Sequence, residues 1–222
     1  MKKLSYFFLL CAAMMTFTGC NNEPEVTLTE NGYEYVDLGL SVKWATMNVG
    51  ATTPEGYGDY FAWGETTTKN NYNWVLYKYS NDTNTTLTKY CTTSSYGTVD
   101  NKTTLELEDD AAHVNWGGNW RMPTAQECLE LRQYCTWIWT KQNGVNGYMV
   151  QSRLNGKSIF IPASGTRAGQ YLMGLDSYAY YWTTTLISDT PDKAFYVYFS
   201  WEEEYLYYSE RKYGLTIRPV FK

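Results

Sequence analysis

The residue types that carry most enzyme chemistry are thinly spread along this chain of 222 residues. His113 is its single histidine. One imidazole cannot assemble a histidine-rich zinc site, and as a general base it would need a nucleophile and an orienting acid beside it. Ser94, Ser95 and Ser164 stand in no elbow-like context, so His113 reads as a helix-end or surface histidine. Carboxylates come in two groups, Glu106, Glu108, Asp109 and Asp110 in mid-chain and Glu202-Glu203-Glu204 near the end. Glycoside hydrolysis needs two carboxyls in different environments, and nothing in either group marks one as acid and its neighbour as base. Runs of this kind read as solvated faces or turns. No catalytic residue and no metal-ligand set is assigned. Among cofactors, only a structural calcium under a loop is left open, because aspartates and backbone carbonyls are plentiful.

Aromatic side chains are the excess instead, with 22 Tyr and 9 Trp beside 8 Phe. Tyr and Trp join apolar area to a polar tip, which suits half-wet binding surfaces. They crowd late. In Ala194-Phe-Tyr-Val-Tyr-Phe-Ser-Trp strand alternation separates Phe195, Val197, Phe199 and Trp201 from Tyr196, Tyr198 and Ser200. The first set is expected in the core, which turns Tyr196 and Tyr198 toward solvent or a neighbouring loop. Tyr171, Tyr178 and Tyr180 come just before; Tyr205, Tyr207, Tyr208 and Tyr213 follow. Tyr178, Tyr180, Tyr196, Tyr198, Trp201, Tyr205, Tyr207 and Tyr213 are therefore the candidate ligand contacts, by stacking on sugar faces or on a protein partner. Cross-strand Tyr pairing that only stabilises a sheet is the alternative.

Positioning these groups requires a framework, and its clearest signal is Trp116-Gly-Gly-Asn-Trp-Arg-Met-Pro-Thr-Ala-Gln-Glu-Cys-Leu-Glu-Leu. Gly117-Gly118 can break a preceding element, Trp120-Arg121-Met122 reads as a short strand, and Thr124 with Glu127 forms a capping box. Ala125, Cys128, Leu131, Arg132 and Cys135 recur at helical spacing, predicting one central helix near 124–135 with an inward face. Residues 105–112 read as a helical turn or more. Residues 33–40 and 42–49 look like opening strands. Residues 66–101 are rich in Asn, Thr, Ser and Tyr and read as long loops packed by Trp74, Tyr77 and Tyr79. Asn143-Gly144 and Asn146-Gly147 are turn signals, and 148–154 with 157–161 form a hairpin around Asn155-Gly156. Strands are expected at 180–186, 194–201, 205–208 and 215–221. The fold class is α+β and β-rich.

Residues 1–19 carry a basic start, an apolar core too short to span a bilayer, and small residues before Cys20, the pattern of a cleaved leader. A cysteine at that place resembles the lipobox of bacterial lipoproteins, which implies a lipidated Cys20 and a polar tether over 20–32. More than one acyl chain makes such anchoring stable. Loss of Lys2 and Lys3 with the leader takes the formal charge from −5 to −7. So acidic a chain, without a basic stripe, is a poor nucleic-acid binder. About 200 residues remain, near one domain, read here as 33–222. Cys91, Cys128 and Cys135 leave both one bridge from Cys91 and three buried thiols open. There is no CxxC pair.

Five stretches then occur in order: Tyr35-Val-Asp-Leu-Gly-Leu-Ser-Val-Lys-Trp-Ala-Thr, Gly58-Asp-Tyr-Phe-Ala-Trp-Gly-Glu, Trp116-Gly-Gly-Asn-Trp-Arg-Met-Pro-Thr, Tyr181-Trp-Thr-Thr-Thr and Gly214-Leu-Thr-Ile-Arg-Pro-Val. The set resembles the Fibrobacter succinogenes major paralogous domain of surface lipoproteins in gut Bacteroidetes. The resemblance covers the chain from about Tyr33 onward. It implies a C-type-lectin-like fold, akin to formylglycine-generating enzymes, with termini meeting in one sheet and long loops carrying ligand contacts. Met47 stands where the family often has Cys, which counts against a redox or copper site. The sugar-binding triplets of calcium-dependent lectins are missing from 33–222. The expected function is a lipid-anchored, non-catalytic binding module at the outer membrane, facing the cell surface, with a glycan or protein ligand. A structural or adhesin-assembly subunit, or a formylglycine-generating-like or glycosidase enzyme, are the alternatives.

Overall fold

The computed structural model describes residues 28–222, so the leader and Cys20 lie outside the described residues. The chain is β-rich. The opening strands are β1 (Thr29–Glu30), β2 (Tyr33–Val36) and β3 (Lys43–Ala45), shorter than the runs expected. Residues 46–106 carry only isolated bridges and hydrogen-bonded turns, as composition predicts for 66–101. Two helices follow rather than one, α1 (Ala111–Trp116) and α2 (Ala125–Tyr134). Next come β4 (Cys135–Gln142), β5 (Val145–Ser152), β6 (Ser158–Pro162), β7 (Thr166–Ala168), β8 (Tyr171–Met173), β9 (Tyr178–Leu186), β10 (Lys193–Ser200), β11 (Glu204–Glu210) and β12 (Val220–Phe221).

Local chemistry explains several boundaries. Thr124 Oγ1 accepts from the Glu127 amide at 3.2 Å while Glu127 Oε2 accepts from the Thr124 amide at 2.8 Å. Both orphan donors of the helix start are thereby satisfied. Helix α1, absent from the expected elements at this length, starts because Asp110 caps it by accepting from Ala112 and His113. Gly117 and Gly118, both at positive φ, end it. Trp120-Arg121-Met122 is no strand; Arg121 only bridges to Val220. Helix α2 stops at Tyr134, so Cys135 opens β4 instead of closing the helix. Cys91, Cys128 and Cys135 are buried free thiols. The tight turn of the β4–β5 hairpin is Asn143-Gly144, both at positive φ as a type I′ turn requires. Asn146-Gly147, by contrast, lies inside β5, where Gly147 pairs with both Thr140 and Pro162.

The sheets have orders β1-β2-β3-β12, β4-β5-β6, β11-β10-β9 and β7-β8. The first, as the resemblance implies, joins the two ends of the described chain. The third separates two apolar clusters. One face contributes Trp182, Leu186, Ala194 and Tyr196 to a cluster with Trp63, Trp120 and the tyrosines of the long loops. The other contributes Ala179, Tyr181, Val197 and Phe199 to a cluster with Trp44, Cys128, Leu131 and Val150. Both faces of β10 are thus covered, and this corrects the expected orientation. Val197 and Phe199 are core, but so is Tyr196. Phe195 is only half-buried and Trp201 is 66% exposed.

The long loops are held by phenol hydroxyls and buried guanidiniums. Tyr72 donates to the Tyr60 carbonyl at 2.5 Å, Tyr77 to that of Trp63 at 2.6 Å, and Tyr60 to that of Ser164. Arg211, fully buried, donates to the Tyr77 hydroxyl and to the carbonyls of Tyr90, Pro191 and Lys89 at 2.8–3.1 Å.

Candidate functional site

Six of the eight expected ligand residues come together on one face of the β11-β10-β9 sheet. The register places Tyr198 opposite Tyr180 and Tyr205, and Tyr196 opposite Trp182 and Tyr207; Ser200 faces Tyr178. Residues directly opposite in antiparallel strands share a face. The rings touch: Tyr198 and Tyr205 have centroids 4.8 Å apart, Tyr180 and Tyr198 5.1 Å, and Tyr178 and Tyr180 5.6 Å. The field is graded from buried to open. Tyr196 is 6% exposed and Tyr207 48% exposed, with Tyr178, Tyr180, Tyr198 and Tyr205 between. Burial pushes the Tyr180 phenol up to about 12 and raises that of Tyr196 as well, so these two rings are neutral donors near pH 7.

Tyr196 is corrected from ligand contact to core, because the cluster around Trp182 covers it. The other two residues stand apart from the ring field. Trp201 projects from the β10–β11 turn beside the exposed Glu202 and Glu203. Tyr213 lies beyond β11, half-buried, with Lys212 Nζ 5.0 Å from its ring centroid.

The hairpin that carries Tyr171 was not singled out from the sequence, although Tyr171 itself was. The β7–β8 hairpin ends with Tyr171, Leu172 and Met173 exposed, followed by exposed Leu175. It abuts the tyrosine face at Gly174, where an added Cβ would fall 1.9 Å from Tyr178 Cζ. A side chain at Gly174 would displace that ring. The usable signal was a Tyr-Leu-Met run framed by Gly169 and Gly174, too short to classify by periodicity.

The remaining chemistry-bearing groups have structural partners. His113 Nδ1 lies 3.1 Å from the Trp120 carbonyl. Ser164 is buried against the Thr216 hydroxyl at 2.8 Å. Asp110 caps α1 and also accepts from the Met122 amide; burial raises its carboxyl to about 6 against these bonds. Glu106, Glu108 and Asp109 bring ligand atoms within 4.8 Å of one another, the arrangement a calcium would want. A lysine already fills it: Lys89 Nζ lies 2.6 Å from Glu106, 3.3 Å from Glu108 and 2.5 Å from Asp109. Asp109 also accepts from Lys78 at 3.0 Å, from Tyr90 at 2.7 Å and from Tyr79. Burial pushes its carboxyl up, but these four donors outweigh it and hold the group well below the ordinary carboxylate range.

The fold and the face together define a β-rich protein with an aromatic sheet surface flanked by an exposed apolar hairpin. No protein-family model, no curated protein and no solved structure matches the chain. Among the described residues, no helix is long and apolar enough to cross a membrane.

Proposed function

We propose that this chain is a lipid-anchored binding module of the cell envelope, non-catalytic and C-type-lectin-like, that takes a glycan or protein ligand on its late tyrosine face. The observation that carries this reading is the convergence of Tyr178, Tyr180, Tyr198, Tyr205 and Tyr207 on one partly open sheet face. Half-exposed rings with hydroxyl tips offer flat apolar area and hydrogen bonds at low entropic cost. The five ordered motifs and the sheet shared by the two ends support the fold assignment. Cys20 with the preceding leader supports lipid anchoring at the outer membrane, facing outward.

The test is binding of the chain from Asn21 onward to a broad glycan array, with and without EDTA. Tyr205→Ala with Tyr207→Ala is expected to weaken ligand binding about tenfold or more, as loss of central aromatic contacts does, with little change in Tm. Unchanged binding by this variant would remove the face from the proposal. Tyr196→Ala is not a binding test, since emptying that buried site costs about 3–5 kcal/mol. For the anchor, Cys20→Ala is expected to move the protein from the membrane fraction to the soluble one; continued membrane retention would refute lipidation there.

A second reading, a structural or adhesin-assembly subunit, is favoured by one observation. Strand β11 has a partner on one side only and exposes Tyr207 and Tyr208. An unpaired edge is a template for another strand. Concentration-dependent self-association in ultracentrifugation would favour it over the lectin reading.

A further inference from the structure

The free edge of the β11-β10-β9 sheet carries unused backbone groups in a pattern that fits one partner. The Arg211 amide donates to the Asp192 carbonyl and the Ser200 amide to that of Glu203, each at 2.9 Å. In an antiparallel pair, opposed residues that exchange such bonds alternate with residues that do not. Tyr196 lies opposite Tyr207. The backbone groups of Tyr205, Tyr207, Ser209 and Arg211 therefore turn toward β10, and those of Glu204, Leu206, Tyr208 and Glu210 turn outward. Two of the outward carbonyls are taken. That of Glu204 accepts from Arg132 at 2.6 Å, and that of Glu210 from the Tyr213 amide at 3.2 Å. Among the described residues, nothing bonds the N–H or C=O of Leu206 or Tyr208.

Two donors and two acceptors thus stand open on either side of Tyr207. A second copy of β11, antiparallel and centred on Tyr207, meets all four, because Leu206 of each copy falls opposite Tyr208 of the other. Centring the pair on Leu206 or Tyr208 would instead draw in the carbonyl of Glu204 or Glu210, already used. Charge selects the same arrangement. The exposed Glu202 and Glu203 lie beyond one end of β11 and Lys212 beyond the other, so antiparallel pairing carries each acidic turn to the lysine of its mate. Glu204 and Glu210 come face to face, but each has its own cation, Arg132 at 3.7 Å and Lys212 at 2.9 Å. The exposed rings of Tyr207 and Tyr208 stack at 4.5 Å; docking parts them and lays each on its own face of the sheet. We propose that the chain forms a twofold dimer through β11, which joins two sheets into one of six strands with a continuous tyrosine face. The dimer rests on the assembly reading above and names its partner, a second copy of this chain.

Cysteine cross-linking in the full-length chain tests it. In the dimer Tyr207 faces its own copy in a non-hydrogen-bonded pair, with Cα atoms about 4.5 Å apart, a span that a disulfide bridges. Cys91, Cys128 and Cys135 are buried and stay out of the reaction. On mild oxidation Tyr207→Cys is expected to give mostly reducible dimer, whereas Trp201→Cys, 66% exposed but far from the centre of the pair, stays monomeric. Adding Tyr208→Pro is expected to abolish the dimer without unfolding the sheet, since the N–H it removes points outward from an edge strand. Absence of the dimer, an equal yield from Trp201→Cys, or a yield that Tyr208→Pro leaves unchanged would overturn the proposal. Should Tyr208→Pro fail to fold, the two cysteine positions decide alone. Ultracentrifugation separates the two failures. Self-association that survives Tyr208→Pro overturns the β11 dimer and spares the assembly reading, while a chain monomeric at every concentration counts against both.

Discussion

Arg211→Met is expected to cost about 5 kcal/mol or more, since each hydrogen bond to a charged group contributes about 1.5–3 kcal/mol. Its guanidinium makes four bonds, to Tyr77, Tyr90, Pro191 and Lys89, and lies 4.9 Å from the Trp63 ring centroid and 5.2 Å from that of Tyr77. Met restores much of the volume but none of the donors, so three carbonyls and a phenol oxygen lose their partner inside the core. A loss of that size approaches the whole stability of a typical domain, about 5–15 kcal/mol. The variant should accumulate poorly, and its urea midpoint, where measurable, should fall sharply. Arg211→Lys keeps the charge but not the planar fork, and should lie between the two. A loss below about 1 kcal/mol for Arg211→Met would mean that the long loops are held without this clamp.

Lys89→Ala should have the next largest effect, about 3 kcal/mol, the low end for breaking a buried ion pair. The low end applies because Lys78, Tyr79 and Tyr90 still reach Asp109. The change also has a pH signature. In the native chain the Asp109 pKa is depressed below its ordinary 3.8. Its contribution is therefore fully present above pH 3.8 and is lost as pH falls toward the folded value. With Lys89 gone the depression shrinks, so less stability is held above pH 3.8 and less remains to be lost in acid. The difference in unfolding free energy between wild type and variant should be largest near neutrality and narrow below pH 4. The emptied space would leave Glu106, Glu108 and Asp109 facing one another, and calcium should then raise the Tm of the variant but not of the wild type. A variant with wild-type stability at pH 7 would show that the lysine is a surface ornament.

Much of the local structure was legible in advance, because it rests on neighbours in sequence. The capping box at Thr124 and Glu127, the long loops over 66–101 and the strands at 180–186, 194–201 and 205–208 follow from side chains within a few residues of one another, whereas the run expected at 215–221 is strand only over Val220–Phe221. The outcome was less legible wherever distant segments met. Two Asn-Gly pairs looked alike, yet Asn143-Gly144 turns a hairpin while Asn146-Gly147 runs through β5, because pairing on both sides of β5 overrides a local turn preference. Alternation along β10 correctly sorted its residues into two faces, but not the fate of each face. Only a strand covered on both sides buries Tyr196 and Phe199 alike.

For the candidate site, the residue types were readable and their company was not. Six tyrosines belonging to three strands could be named from spacing, but their common face depends on register across β9, β10 and β11. The acidic run before α1 suggested a solvated face or turn, and Lys89, seventeen residues upstream of Glu106, turned it into a closed ion cluster. Nothing in the sequence singled out Arg211 or Arg218 as buried. Burial of their guanidiniums depends on carbonyls 20 to 173 residues away. Periodicity and caps act over one turn or one hairpin, so composition and order alone carried the elements, the leader and the aromatic excess. Desolvation and counter-charge act between segments that meet only when the chain has closed, and they determined which tyrosines stayed open, which lysine closed the acidic cluster, and which arginines were buried.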